Sequence, residues 1–246
     1  MVLKPLKYHP NITHSTMNKL RSIIALSIVV FIPFGLMIWI RIHQSTGFAS
    51  TELIIYPLLF GGLSIAVLFL LKKFFLKEKL SDFNSKPGSW FTDIGWGLVL
   101  TLIYFILFFV ERVMLSDVLQ FRSNEELLGL MLDMRESPFL MILFFGPVLW
   151  IGVALYEELI RVFILTSLWK WSDKLSWCML VIFFSAVIIG LTHWSQGSYG
   201  VVTIGIKSLV SGYYFYKKRR LMPLVYAHVL YDGIQVAALL LTYPEQ

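Results

Sequence analysis

Apolar runs separated by short, polar, lysine-rich breaks set the rhythm of this chain. Seven runs stand out: 23–42, 53–71, 91–110, 138–171, 175–192, 201–216 and 221–243. Each is rich in Leu, Ile, Phe and Val and poor in charge, and a helix of about 20 such residues crosses a bilayer. The pattern predicts an all-α polytopic membrane helix bundle of seven or eight segments, with most of the chain in lipid. The first run follows a polar leader, is too long for the core of a signal peptide, and has no small-x-small cleavage site after it. It reads as an uncleaved anchor.

The fourth run is too long for one crossing. At ~1.5 Å per residue, residues 138–171 would reach ~50 Å, against a hydrocarbon core of ~30 Å. Gly146-Pro147 offers a break, because proline lacks a backbone donor and clashes with the preceding turn. A short or re-entrant piece and then a full helix, residues 149–171, is the expected form. An eighth segment arises if the short piece crosses. The longest connection, 111–137, holds a second signal. Ser123 followed by Glu126 reads as a capping box. Leu127, Leu128, Met131, Leu132 and Met134 then form an apolar stripe, with Glu125, Asp133 and Arg135 among the polar positions. This predicts an amphipathic helix lying in the membrane interface. The chain divides into N-terminal helices with this loop, 1–137, and a C-terminal core, 138–246.

Composition narrows the class. Hydrophobic residues make up 57% and charged residues 15%, where a soluble domain carries roughly 25% charged. Cys178 is the single cysteine, which excludes a disulfide scaffold, and no low-complexity tract is present. The net charge of +6 would suggest nucleic acid in a soluble protein. Here it marks loops beside anionic headgroups, and the partner is the lipid bilayer, not nucleic acid. With the N-terminus inside, fifteen basic residues face the cytoplasm: four before the first run, five between 72 and 86, Lys170, Lys174, and the cluster 217–220. Arg41, Arg112, Arg122 and Arg135 are the four on the other side. This bias predicts an integral protein of the cytoplasmic membrane with a cytoplasmic N-terminus. The Asn11-Ile12-Thr13 sequon would then face the cytoplasm.

Charge inside lipid is costly and marks function or pairing. The residues concerned are Asp93, Glu157, Glu158, Arg161, His193, Lys207, His228 and Asp232. Asp93 falls in a first helical turn, where a carboxylate complements the helix dipole. Lys207 reads as a structural counter-ion that snorkels or meets a carboxylate. The other six form three clusters. Glu157 and Glu158 lie four and three residues before Arg161, so either can pair with the guanidinium. They differ by about 100° of helix phase, so one can pair while the other points elsewhere as a general base. A structural ion pair is the plain alternative. His193 stands in Thr192-His193-Trp194-Ser195-Gln196-Gly197 at a span end, where a histidine is commonly interfacial. His228 and Asp232 are i,i+4 on one face, able to orient an imidazole, hold a metal or relay protons.

In this order, the three clusters resemble the CPBP (CAAX protease and bacteriocin-processing, or Abi) family of intramembrane endopeptidases, which includes the type II CAAX prenyl endopeptidases. That family is described by Glu-Glu-x-x-x-Arg, then Phe-x-x-x-His, then His-x-x-x-Asn or Asp. The resemblance runs from Gly146 to about Val236. Two departures stand out. Only two residues separate Glu158 from Arg161, and Ile189 occupies the phenylalanine position. The resemblance implies hydrolysis of a peptide bond in a membrane-associated peptide or protein. Glu157 with His193 would activate water, His228 with Asp232 would stabilise the oxyanion, and Arg161 would hold Glu158 ionised; the phase argument also permits the two glutamates to exchange roles. No cofactor is required on this reading, although a zinc-dependent form would use His193, His228 and Glu157 as ligands. The shortened first motif keeps a non-catalytic immunity or scaffold protein in view. A small proton-coupled transporter is a further alternative, against which no inverted repeat is visible.

Depth sets a constraint. Glu157 lies thirteen residues from Lys170, His193 nineteen from Lys174 and His228 eight from Arg220. These correspond to depths of about 12 to 29 Å, so one site requires helices that tilt or start at different heights.

Overall fold

The structure is a computed structural model that describes residues 16–43, 51–122 and 125–243. It is helical, and among the described residues no strand occurs beyond an isolated bridge between Asn84 and Arg220. In chain order the α-helices are α1 (Thr16–His43), α2 (Glu52–Leu70), α3 (Trp90–Leu115), α4 (Glu125–Arg135), α5 (Pro138–Leu143), α6 (Tyr156–Trp169), α7 (Leu175–Thr192), α8 (Gly197–Lys218) and α9 (Met222–Thr242). A π-helical stretch, Phe144–Leu155, joins α5 to α6. Among the described residues five helical runs are long and apolar enough to cross a membrane: Glu52–Phe75, Trp90–Leu115, Pro138–Trp169, Leu175–Thr192 and Met222–Thr242. The protein is an integral membrane protein.

The chain does break at Gly146, whose φ of −85° and ψ of −110° leave helical space, but it continues at once in π geometry. The piece before the break, residues 138–145, rises only about 12 Å, well short of a hydrocarbon core. The short helix expected in the 111–137 connection is α4, while the capping box at Ser123 lies outside the described residues. Met134 on α4 is fully buried beside Ile54, Phe144 and Val148, so this helix packs against the bundle. Arg135 donates to the Leu240 and Tyr243 carbonyls at 3.3 and 3.2 Å, and so ties α4 to the end of α9.

Helix α6 is the centre of the bundle, buried continuously from Glu158 to Ser167. Around it, α7 pairs with α8, α3 pairs with α9, and α2 lies along the π stretch. The last contact depends on small residues. A Cβ on Gly61 would come within 2.7 Å of the Gly152 Cα, so backbone meets backbone there.

The basic end of the bundle is cross-linked by charge. Lys72, which the sequence presents as one of the solvated cytoplasmic bases, is fully buried. Its Nζ meets Glu78 at 2.9 Å and Asp82 at 3.1 Å, and lies 4.9 Å from the centre of the Phe83 ring. Glu78 also pairs with Lys170 at the end of α6. Burial works to raise the Glu78 carboxyl, but Lys170 and Lys72 outweigh it and hold it below its ordinary value. A lowered folded-state pKa means that this contribution is complete above the unfolded value and is lost as pH falls through the folded one. Glu78→Gln is therefore expected to destabilise the protein by ~2–4 kcal/mol at neutral pH. The difference from wild type should vanish under acid, read by unfolding in detergent across pH.

Candidate active site

The first turn of α6 carries Glu157 and Glu158 in adjacent positions with opposite surroundings. Glu158 is 3% exposed and pairs with Arg161 one turn along, which is itself 5% exposed. Arg161 also donates from Nη2 to Ser208 Oγ on α8 at 3.1 Å. The other Glu158 oxygen, Oε1, lies 3.0 Å from His228 Nδ1 on α9. Glu158 is thus clamped between a cation of its own helix and an imidazole of another. Glu157, a further 100° or so around the helix, is 26% exposed and stands 3.8 Å from His228 Nε2.

His228 is surrounded by carboxylates. Its Nε2 lies 3.1 Å from Asp232 Oδ2, one turn on in α9. With Nδ1 facing Glu158 and Nε2 facing Asp232, both ring nitrogens are occupied, and donation to both requires the doubly protonated ring. Asp232 therefore acts as an acceptor for the imidazole, a role that an asparagine at this position would fill only through its carbonyl oxygen.

His193 ends α7. The chain there turns through a 3-10 segment, Trp194–Gln196, into Gly197 at φ 80°, a left-handed conformation suited to glycine. The segment after α3 is stitched to this turn. Arg122 N–H donates to the Gln196 carbonyl, Tyr199 N–H to the Gln120 carbonyl and Gln120 N–H to Ser198 Oγ, at 3.0–3.1 Å. Within the turn, His193 Nδ1 lies 3.3 Å from Gln196 Nε2.

All six residues, Glu157, Glu158, Arg161, His193, His228 and Asp232, line one cavity of about 470 Å³. Five are joined by the contacts above, and His193 stands on the wall with Gln196. The constraint of depth resolves through unequal anchors. Glu158 and His228 meet although they lie twelve and eight residues from Lys170 and Arg220. At the helical rise, those two anchors must differ in height by about 6 Å. Lys170 reaches out to Glu78, whereas Arg220 turns in to Asp93 in the first turn of α3, 2.9 Å from its Nε.

Among the described residues no three His, Cys, Asp or Glu side chains are placed to hold a metal ion. His193, His228 and Glu157, the ligands of the zinc-dependent form, therefore do not make such a group.

The sequence left other cavity residues without partners. Lys207 pairs with Glu111 at 2.5 Å and lies 5.6 Å from the Tyr231 ring centre. Tyr104 and Ser211 share a 2.7 Å hydrogen bond. Thr203, Lys207, Ser208 and Ser211 recur at helical spacing on α8, a polar stripe in an otherwise apolar run and the one local signal that pointed to them.

The family model described as type II CAAX prenyl endopeptidase Rce1-like matches residues 138–234. Over these residues the chain is similar to that family. The match opens at the first residue of α5 and ends within α9, so the Rce1-like segment contains the π stretch and all six cavity residues just described. It is a family of proteases. No curated protein and no solved structure matches the chain.

Proposed function

We propose that this protein is an intramembrane endopeptidase that hydrolyses a peptide bond in a membrane-associated substrate, with Glu157 as the general base. The observation that carries the reading is the asymmetry of the two glutamates. Glu158 is committed to Arg161 and His228, while Glu157 lines the cavity and, among the described residues, has no cation closer than His228 at 3.8 Å. Two carboxyl groups in contrasting environments are the arrangement that divides structural from chemical work.

In this mechanism Glu157 takes a proton from a cavity water, which His193 helps to position, and the water oxygen attacks the scissile carbonyl carbon. His228, oriented by Glu158 and Asp232, supplies the positive charge near which the oxyanion develops. When the C–N bond breaks, Glu157 returns the proton to the leaving amine, which regenerates the carboxylate. Arg161 and Ser208 hold Glu158 in place. In the bilayer, α1 and α8 complete a seven-crossing bundle with the five apolar runs. The fifteen-to-four distribution of basic residues supports a cytoplasmic N-terminus. The substrate need not be prenylated.

The test is cleavage of a membrane-tethered peptide library by purified protein. Wild type is expected to cut, His193→Ala to cut at least ~10-fold more slowly, and chelator to leave the rate unchanged. Processing that survives Glu157→Ala, Glu158→Ala and His193→Ala would sink the proposal. Binding of peptides without cleavage by wild type would favour a scaffold built on the same bundle, a reading to which the shortened first motif already points.

A further inference from the structure

A second cavity, of about 280 Å³, opens at the basic end of the bundle and shares no lining residue with the first. Three separated parts of the chain wall it: Lys19 and Arg21 from the first turns of α1, residues 76–79 with Asp82 after α2, and Lys170 with Trp171 after α6. We propose that it binds the phosphate headgroup of an anionic phospholipid.

Depth supports this. Two apolar runs end at Phe75 and Trp169, and the lining begins at the next residues, Leu76 and Lys170. The third wall lies just before the apolar run that starts at residue 23. Three independent span ends thus put the cavity where the hydrocarbon stops and headgroups begin. Trp171 is in place there, as expected of an interfacial aromatic.

Charge supports it further. Glu78 and Asp82 are the acidic residues of the wall, and both are already neutralised, Glu78 by Lys72 and Lys170 and Asp82 by Lys72. That network closes on itself with two cations and two anions. Lys19, Arg21, Lys77 and Lys79 then leave the cavity strongly positive. The Lys77 backbone is in the left-handed region at φ 56°, which a non-glycine residue adopts only where its surroundings hold it. The turn thus sets the backbone of a residue that lines the cavity. Trp171 Nε1 is a buried donor with no hydrogen-bond partner among the described residues. The size suits a headgroup and not a whole lipid, since pockets that engulf drug-sized ligands start at ~300 Å³. Basic pockets between membrane helices are recognised sites for anionic headgroups.

Free phosphate offers the same chemistry, so the experiment must separate the sources. The full-length protein is extracted from bilayers of phosphatidylcholine mixed with phosphatidylglycerol, and retained lipids are counted by native mass spectrometry. The expected result is preferential retention of phosphatidylglycerol, weakened about ten- to thirty-fold by Lys77→Gln with Lys79→Gln, given the usual contribution of each surface lysine. A control pair outside the cavity, Lys73→Gln with Lys218→Gln, removes the same charge and is expected to leave retention unchanged. Equal loss in both pairs would show diffuse attraction and overturn the site. So would retention that ignores headgroup charge. Stabilisation by inorganic phosphate in zwitterionic micelles, matching that by phosphatidylglycerol, would overturn the lipid assignment. Both pairs lie on exposed side chains, so each variant is expected to fold.

Discussion

Glu157→Gln should abolish peptide cleavage while leaving the protein folded. Loss of a general base typically costs 10²–10⁴-fold, and glutamine keeps the size and hydrogen-bonding reach of the side chain while removing the ability to take a proton. Stability should move little, because Glu157 is 26% exposed and, among the described residues, its nearest cation is 3.8 Å away. Glu158→Gln tests the other half of the asymmetry. It leaves Arg161 buried without its carboxylate and also removes the anion facing His228 Nδ1, so stability and activity should fall together. The informative measurement is the pair of ratios, turnover and unfolding midpoint, for each variant. If Glu158→Gln lost turnover at wild-type stability while Glu157→Gln retained it, the two glutamates would exchange roles.

Glu157, Glu158, Arg161, His193, His228 and Asp232 are legible in the sequence because charge in an apolar run stands out against a uniform background. The break at Gly146 is legible for a similarly local reason, since a proline removes a donor wherever it sits. What the pattern could not reach was pairing across distance. Glu111 falls where the apolar run ends and is followed by Arg112, so it reads as the start of a loop, yet α3 continues to Leu115 and carries Glu111 to Lys207. Asp93 reads as a partner for the helix dipole, and the cation that meets it, Arg220, is 127 residues away. Lys72 reads as solvated because lysines follow it at 73, 77 and 79, but only the fold brings Glu78 and Asp82 around it. The π geometry of Phe144–Leu155, in which Gly152 meets the Pro57 backbone of α2, is likewise announced by no residue pattern. Composition and periodicity are local, and ion pairs in a bundle are not.

Arg161→Met is expected to be the most destabilising single change at the site. Arg161 and Glu158 are buried to 4% and 2% exposure, so removing the guanidinium leaves a carboxylate in a low-dielectric centre with only His228 to meet it. Breaking a buried pair in this way costs ~3–5 kcal/mol, whereas replacing both partners by neutral groups of similar shape is often close to neutral. The double variant Arg161→Met with Glu158→Gln should therefore recover most of the stability lost by Arg161→Met alone. Equilibrium unfolding of wild type, both singles and the double closes the cycle and isolates the coupling. Strict additivity would show that the two side chains do not share one electrostatic site. Activity should not recover with stability, because the double variant still lacks the anion that orients His228 at Nδ1. A folded, inactive double variant would separate the two services of Glu158, holding α6 through Arg161 and holding the imidazole of α9 opposite Glu157.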